Sequence, residues 1–301
     1  MAISQANIGP RQGRRFIVGP RRAIVPGKLL RHIVLIVILI FMLYPLVWLV
    51  FASFGPTAEV FTNTGLLRHT WTLSNYVNGW NLLPGLSFSS FFANSLIISV
   101  LSVIGNVVSC TMAAYAFARL KFRFRGVAFA VMLVTILLPA QVLIIPQYIA
   151  FHQIGWLNTY LPLIVPRWLA TDGFYIFLMV QFIRGLPTEL DEAAKMDGGS
   201  HFWIFTRVIV PLALPAMATV ALFSFVQSWN DFLGPLLYIT TPSKFTVPLG
   251  LTAFTNSGGT GAASAWGPLF AMCVIGLGPV VAVFLATQRF LSEGIATSGF
   301  K

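Results

Sequence analysis

Long apolar runs alternate with short polar connections along most of the chain, and the runs have the length of membrane crossings. A helix rises about 1.5 Å per residue, so about 20 apolar residues cover a bilayer core of about 30 Å. Five runs meet this length readily: Ile33–Phe54, Phe91–Phe117, Val127–Tyr148, Pro211–Leu236 and Pro268–Thr287. A sixth, fourth in chain order, ends near Ile183 and is interrupted by Pro162, Pro166, Arg167 and Asp172, which leaves only Phe174–Ile183 clean. The pattern predicts an all-α integral membrane protein. Residues 32–301 form a single six-helix domain and residues 1–31 a basic tail.

The basic residues retain the weak crossing. Arg11, Arg14, Arg15, Arg21, Arg22, Lys28 and Arg31 precede the first run; Arg119, Lys121, Arg123 and Arg125 follow the second. Arg184, Lys195 and Arg207 follow the fourth, and Arg289 and Lys301 close the chain. With six crossings and a cytoplasmic N-terminus, sixteen of the 19 Lys and Arg face the cytoplasm. Arg68 and Lys244 lie outside and Arg167 sits within the fourth crossing. Such an excess marks the cytoplasmic side. Removing the fourth crossing would place the 184–210 segment outside and weaken the contrast, so both termini are expected in the cytoplasm. The first apolar run is also longer than the 7–15 residues or so of a cleavable signal.

Composition agrees. The chain is 57% hydrophobic and 9% charged, against about 25% charged in soluble domains. In a soluble protein a net charge of +11 would suggest nucleic acid. Here the cytoplasmic bias accounts for it, and no nucleic-acid partner is expected. Cys110 and Cys273 lie in apolar runs and read as packing residues. His32, His69, His152 and His201 are scattered, with no metal-ligand cluster and no Ser/His/Asp arrangement. A phosphate-binding loop needs G-x-x-x-x-G-K-[ST]; at Gly27-Lys28 the required positions hold Arg22 and Leu29. No catalytic residue, metal or cofactor of the chain's own is expected, and the chain reads as non-enzymatic.

The outer connections differ in character. Residues 55–90 read as a long loop and 149–156 as a tight turn. Residues 237–266 read as a loop containing a small-residue stretch, Ser257–Ser264, expected to be flexible. Within the second run, Ser95, Ser99, Ser102, Asn106, Ser109 and Ala113 recur at helical spacing and share one face. That face reads either as a close helix–helix seam or as part of a water-filled path, with Asn94 and Asn106 as solute contacts. Ser224, Gln227, Ser228 and Asp231 share a face in the fifth run. Asn230 and Asp231 there either touch a polar solute or belong to a solvated helix end. Pro139, Pro146, Pro211, Pro215 and Pro279 are expected to bend their helices.

The most specific segment is a polar island between the fourth and fifth runs, about residues 186–210. Thr188 and Asp191 have N-terminal capping spacing. Glu189, Asp191 and Glu192 suit the positive end of a helix dipole, and Asp191 and Lys195 stand four apart as an ion pair. Gly198 or Gly199 ends this first helix, and Ser200 caps a second running through Phe202, Trp203, Phe205 and Val208. Ala193 and Ala194 leave a surface poor in side chains. By its residues alone the island is either an ordinary amphipathic interfacial loop or a surface built for another protein.

Glu192-Ala193-Ala194, then Asp197-Gly198, then a hydrophobic helix ending at Pro211 and Pro215, resembles the EAA motif of permease subunits of ATP-binding-cassette importers. Gly199 departs from the usual alanine, and a slightly looser turn is expected. Ala114-Tyr115-Ala116-Phe117-Ala118-Arg119, Leu157-Asn158-Thr159-Tyr160, Trp229-Asn230-Asp231-Phe232 and Glu293-Gly294 resemble the carbohydrate-uptake branch, of maltose and glycerol-3-phosphate type. The resemblance spans roughly residues 30–301. It implies a type I importer transmembrane domain in a bacterial plasma membrane. Its implied partners are a second related permease, two copies of a cytoplasmic ATPase that bind the ATP, and an extracytoplasmic solute-binding protein. It also implies that Glu192, Ala193, Ala194, Asp197 and Gly198 form the ATPase-coupling element. The segment 253–265 takes the place of a loop that reaches into the binding protein. An amino-acid or peptide permease is the alternative within the class. An ion-coupled secondary transporter would need ionisable groups at mid-membrane, and only Arg167 and Asp172 come near.

Overall fold

The computed structural model describes residues 26–57, 65, 70–81, 85–256 and 266–298. The tail through residue 25 and most of the 253–265 segment, including the small-residue stretch, lie outside the described residues. The chain divides into two compact units, Met1–Leu46 and Val47–Lys301. The described part of the first is the beginning of helix α1 (Pro26–Ser53), so Lys28 and Arg31 of the basic tail are already helical.

The second unit is built around α3 (Phe88–Arg119), 32 residues long. Its neighbours are α6 (Leu161–Trp168), α7 (Gly173–Gly185), α10 (Val210–Trp229) and α13 (Trp266–Ser298). An apolar cluster sits near each end of α3. Phe88 and Phe91 pack with Phe225, Trp229, Phe254 and Met272. Cys110, Ala114 and Tyr115 pack with Met179, Ile183, Ile204 and Ile209.

Among the described residues, five segments are long and apolar enough to cross a membrane: Lys28–Ser53, Phe88–Arg119, Leu161–Gly185, His201–Trp229 and Trp266–Phe290. The weak fourth run is among them, but as two helices, α6 and α7, parted at residues 169–172, where Ala170 takes a φ of 54°. The third run is not one straight helix. It forms α4 (Arg125–Leu137) and α5 (Ala140–Gln153), bent by 104°. Pro139 stands at the break, where its ring bars a continuous hydrogen-bond ladder. Counted as one broken crossing, this pair is the sixth.

Several connections also differ from expectation. The 55–90 segment contains α2 (Ser74–Trp80). Buried Asn75 ties α2 back, donating to Ser53 O at 2.9 Å and Gly55 O at 2.7 Å. The 149–156 segment continues α5 to Gln153 and turns only at Gly155, with φ 72°. The 237–266 segment contains α12 (Val247–Asn256). The fifth crossing stops at Trp229; Asn230 and Asp231 lie beyond it, and α11 (Leu233–Tyr238) follows.

Asn158 organises this end of the unit. Its φ is 59°, a left-handed conformation that asparagine tolerates better than most residues. Its backbone N–H donates to Tyr238 O at 2.7 Å, and its Nδ2 donates to Thr241 Oγ1 at 2.8 Å. Its Oδ1 accepts from the backbone N–H groups of Thr240 and Thr241, and its carbonyl accepts from Lys244 Nζ at 2.7 Å. Asn158→Ala removes the three side-chain bonds and places Ala in an unfavourable backbone region. At about 1 kcal/mol per bond, it is expected to cost roughly 3 kcal/mol. Unfolding of the purified protein in detergent should show a clearly lower midpoint; an unchanged midpoint contradicts this role.

Candidate functional site

The island folds as the capping chemistry demands, with two exceptions. Helix α8 (Glu189–Met196) carries Glu189, Asp191 and Glu192 in its first turn, and α9 (His201–Ile204) follows. Ser200 Oγ accepts from Trp203 N at 3.2 Å, the expected cap. Gly198 adopts the left-handed conformation at φ 82°, and its N–H reaches Lys195 O at 2.9 Å. A π-helical turn, Phe205–Ile209, joins α9 to α10.

The first exception is Thr188, whose side chain makes no cap hydrogen bond. The second is Asp191. It turns inward to Arg119 at the end of α3, with Nε–Oδ2 at 2.9 Å; the expected pairing with Lys195 is replaced. Both side chains are nine-tenths buried or more. Arg119 Nη2 also donates to Leu186 O at 2.8 Å, just ahead of α8. Tyr115, one turn earlier on α3, donates its hydroxyl to His201 O and packs against Phe205 at 5.3 Å. The island is therefore fastened to a helix with which it shares no direct chain connection.

The five positions that the resemblance implies as a coupling element divide by orientation. Glu192, Ala193, Asp197 and Gly198 are exposed, but Ala194 is buried beneath the loop. The side-chain-poor surface is therefore Ala193 alone. The carbonyl of Ala194 accepts from Gly199 N at 2.9 Å. A Cβ on Gly199 would stand 2.7 Å from that oxygen and 2.9 Å from the Trp203 ring. The double glycine thus makes this turn closer, not looser. Around it Met196 and Phe202 stand out, 89% and 70% exposed.

The four candidate solute contacts all have partners within the chain. Asn94 Nδ2 donates to Ser243 O and Phe245 O at 2.9 and 3.0 Å. Asn106 is buried and donates to Ser224 Oγ at 2.8 Å, while its Oδ1 lies buried without a partner. Asn230 Nδ2 returns to Val226 O on its own helix. Asp231 Oδ1 accepts from Gly234 N at 3.0 Å, at the start of α11. The serine stripe forms a seam: Ser95 accepts from Val247 N, Ser102 donates to Leu163 O, and Ser109 donates to Arg167 O. Arg119 closes the Ala114–Arg119 stretch, whose residues alone assign it no task. The only signal available was an arginine closing a run of small and aromatic residues.

A permease family pattern, described as a binding-protein-dependent transport system inner membrane component, matches residues 105–297. The chain belongs to this family. It is therefore a multi-pass membrane protein. Among curated relatives it is 30% identical to the probable ABC transporter permease protein YurM of Bacillus subtilis, over 94% of this chain and 91% of the relative. It is 31% identical to the diacetylchitobiose uptake system permease protein NgcG of Streptomyces coelicolor, over 90% and 88%. The trehalose/maltose transport system permease protein MalG of Thermococcus litoralis is also 31% identical, over 91% and 98%. Among solved structures, a chain of a bacterial ABC transporter involved in import of the acidic polysaccharide alginate superposes with a TM-score of 0.76 at 22% identity. The match covers 88% of this permease and 96% of that chain.

Removing one partner of a buried ion pair leaves an uncompensated charge and costs about 3–5 kcal/mol. Asp191→Ala and Arg119→Ala are each expected to loosen α8 by this mechanism. Amide hydrogen exchange across residues 189–204 should accelerate at least tenfold in either variant while α13 is unaffected. Unchanged exchange in the island would remove the ion pair from the account.

Proposed function

We propose that the chain is the membrane-spanning subunit of an ATP-driven, binding-protein-dependent importer for a sugar or related polyol. Its island serves as the docking element for the ATPase. The observation that carries this reading is the island's two-sidedness. One side is locked to α3 through Arg119 and Tyr115, and the other presents Glu192, Ala193, Met196 and Phe202. An acidic and apolar exposed surface on a rigid base suits a cleft in another protein.

The chain pairs with a second, related permease and with two cytoplasmic ATPases, which bind the ATP; it needs no cofactor of its own. An extracytoplasmic solute-binding protein delivers the solute. A solved alginate importer in complex with an alginate pentasaccharide-bound periplasmic protein supports that partner class. Relatives named for diacetylchitobiose, arabinooligosaccharides and trehalose/maltose favour a carbohydrate over an amino acid or peptide. With the island and both termini in the cytoplasm, closure of the ATPases displaces α8 and α9. Because α7 and α10 flank the island and Arg119 ties it to α3, the three helices tilt together as rigid bodies, opening and closing a path by alternating access.

Glu192 is exposed and makes no ion pair among the described residues, so replacing it does not disturb the fold. Glu192→Lys is expected to weaken retention of the ATPase in pull-downs at least tenfold and to abolish uptake, with membrane insertion intact. Retention and uptake both at wild-type level would overturn the docking role.

A further inference from the structure

Arg167 and Asp172 form a second ion pair, distinct from Arg119–Asp191. Arg167 Nη1 lies 2.7 Å from both carboxylate oxygens of Asp172. The pair closes the break between α6 and α7, inside a 25-residue apolar crossing.

Its depth follows from α3. Ser109 Oγ donates to Arg167 O at 2.9 Å, and the Cys110 thiol approaches Asp172 O. These α3 residues lie nine and ten positions before Arg119, where the basic cluster of Arg119, Lys121, Arg123 and Arg125 marks one membrane boundary. At 1.5 Å per residue the pair is about 15 Å from that boundary, half of a core about 30 Å thick. Along α7, Asp172 is twelve residues before Arg184, or roughly 18 Å. Both measures put the pair near the bilayer centre.

The break is rigid on its α3 side. Trp168 Nε1 donates to Leu101 O at 3.1 Å, and the Trp168 ring lies so close to α3 that a Cβ on Gly105 would collide with it. Its other side is open. The Arg167 and Asp172 side chains are 24% and 19% exposed, Trp168 is 44% exposed, and Thr171 and Gln227 are exposed beside them. Gln227 is held by the Tyr175 hydroxyl at 2.9 Å. Arg167 Nε and Nη2 donate to no described residue. Charged groups at bilayer centre almost always face a protein interior or a water-filled cavity rather than lipid.

We propose that Arg167, Asp172 and the open face of Trp168 form a mid-membrane contact for a hydroxyl-bearing solute on a water-filled path. The guanidinium donates, the carboxylate accepts, and the indole ring receives an apolar sugar face. The solute class rests on the importer reading above; the water-filled path does not.

The test has two arms in the full assembled complex. In sealed membranes, Thr171→Cys is treated with the charged, impermeant thiol reagent MTSET and, separately, with an apolar permeant maleimide, the wild-type chain serving as blank. Reaction with MTSET is expected; no reaction with it overturns the path, whether or not the apolar maleimide reacts. In the second arm, uptake of radiolabelled maltose, trehalose, diacetylchitobiose and arabinotriose is compared in wild type, Arg167→Gln, Asp172→Asn and Arg167→Lys. The KM of the best-transported probe should rise at least tenfold in the first two variants, with partial recovery in Arg167→Lys. Unchanged KM values in both Arg167→Gln and Asp172→Asn overturn the solute contact. Loss of the ATPase from pull-downs of the wild-type complex would instead strike the importer reading and leave the labelling result standing.

Discussion

A hydrocarbon environment supplies no hydrogen bonds, so a polar group within it is costly unless the protein gives it a partner. That constraint shapes α3. Its Asn94, Ser95, Ser102, Asn106, Ser109 and Arg119 reach the 243–247 segment, α6, α10 and the island. Each bond joins parts of the chain far apart in sequence. The helix thereby becomes the spine through which the island at one end and the loops at the other are held to a common frame.

Two other features follow from the same constraint. Trp229 donates its Nε1 to Gly276 O at 3.0 Å, one turn before Pro279 on α13, and stacks on Phe225. The Trp229-Asn230-Asp231 segment is thus a structural corner: Trp229 anchors, Asn230 closes α10 and Asp231 opens α11. At the opposite end, Arg119 does for the island what Asn158 does for the 238–244 segment. In both places one side chain gathers a loop that would otherwise hang on its own ends.

The crossings were legible in the sequence because burial in lipid demands a long apolar run, and nothing else in a short chain produces six of them. The island's turn was equally legible: Gly198 and Ser200 act through local geometry, which is written in adjacent residues. What the sequence did not show depends on distant partners. Asp191 had a plausible neighbour in Lys195 four residues away, but a buried arginine from α3 outcompetes an exposed lysine. Asn94, Asn106, Asn230 and Asp231 looked available because their partners lie on other elements or, for Asn230 and Asp231, depend on where the helix ends. The break at residues 169–172 was visible as a defect in hydropathy, yet its ion pair became meaningful only once α3 fixed its depth.

We propose that the segment between α7 and α10 lies on the cytoplasmic side and is gripped there by an ATPase. Met196 is 89% exposed and has no structural duty, so a cysteine placed there reports its surroundings without disturbing the turn. An impermeant thiol reagent is expected not to label Met196→Cys from outside intact cells. The same reagent should label it in inside-out vesicles stripped of ATPase, and adding the ATPase back should protect it. Labelling from outside intact cells would place the segment on the opposite side of the membrane and rule out the ATPase contact.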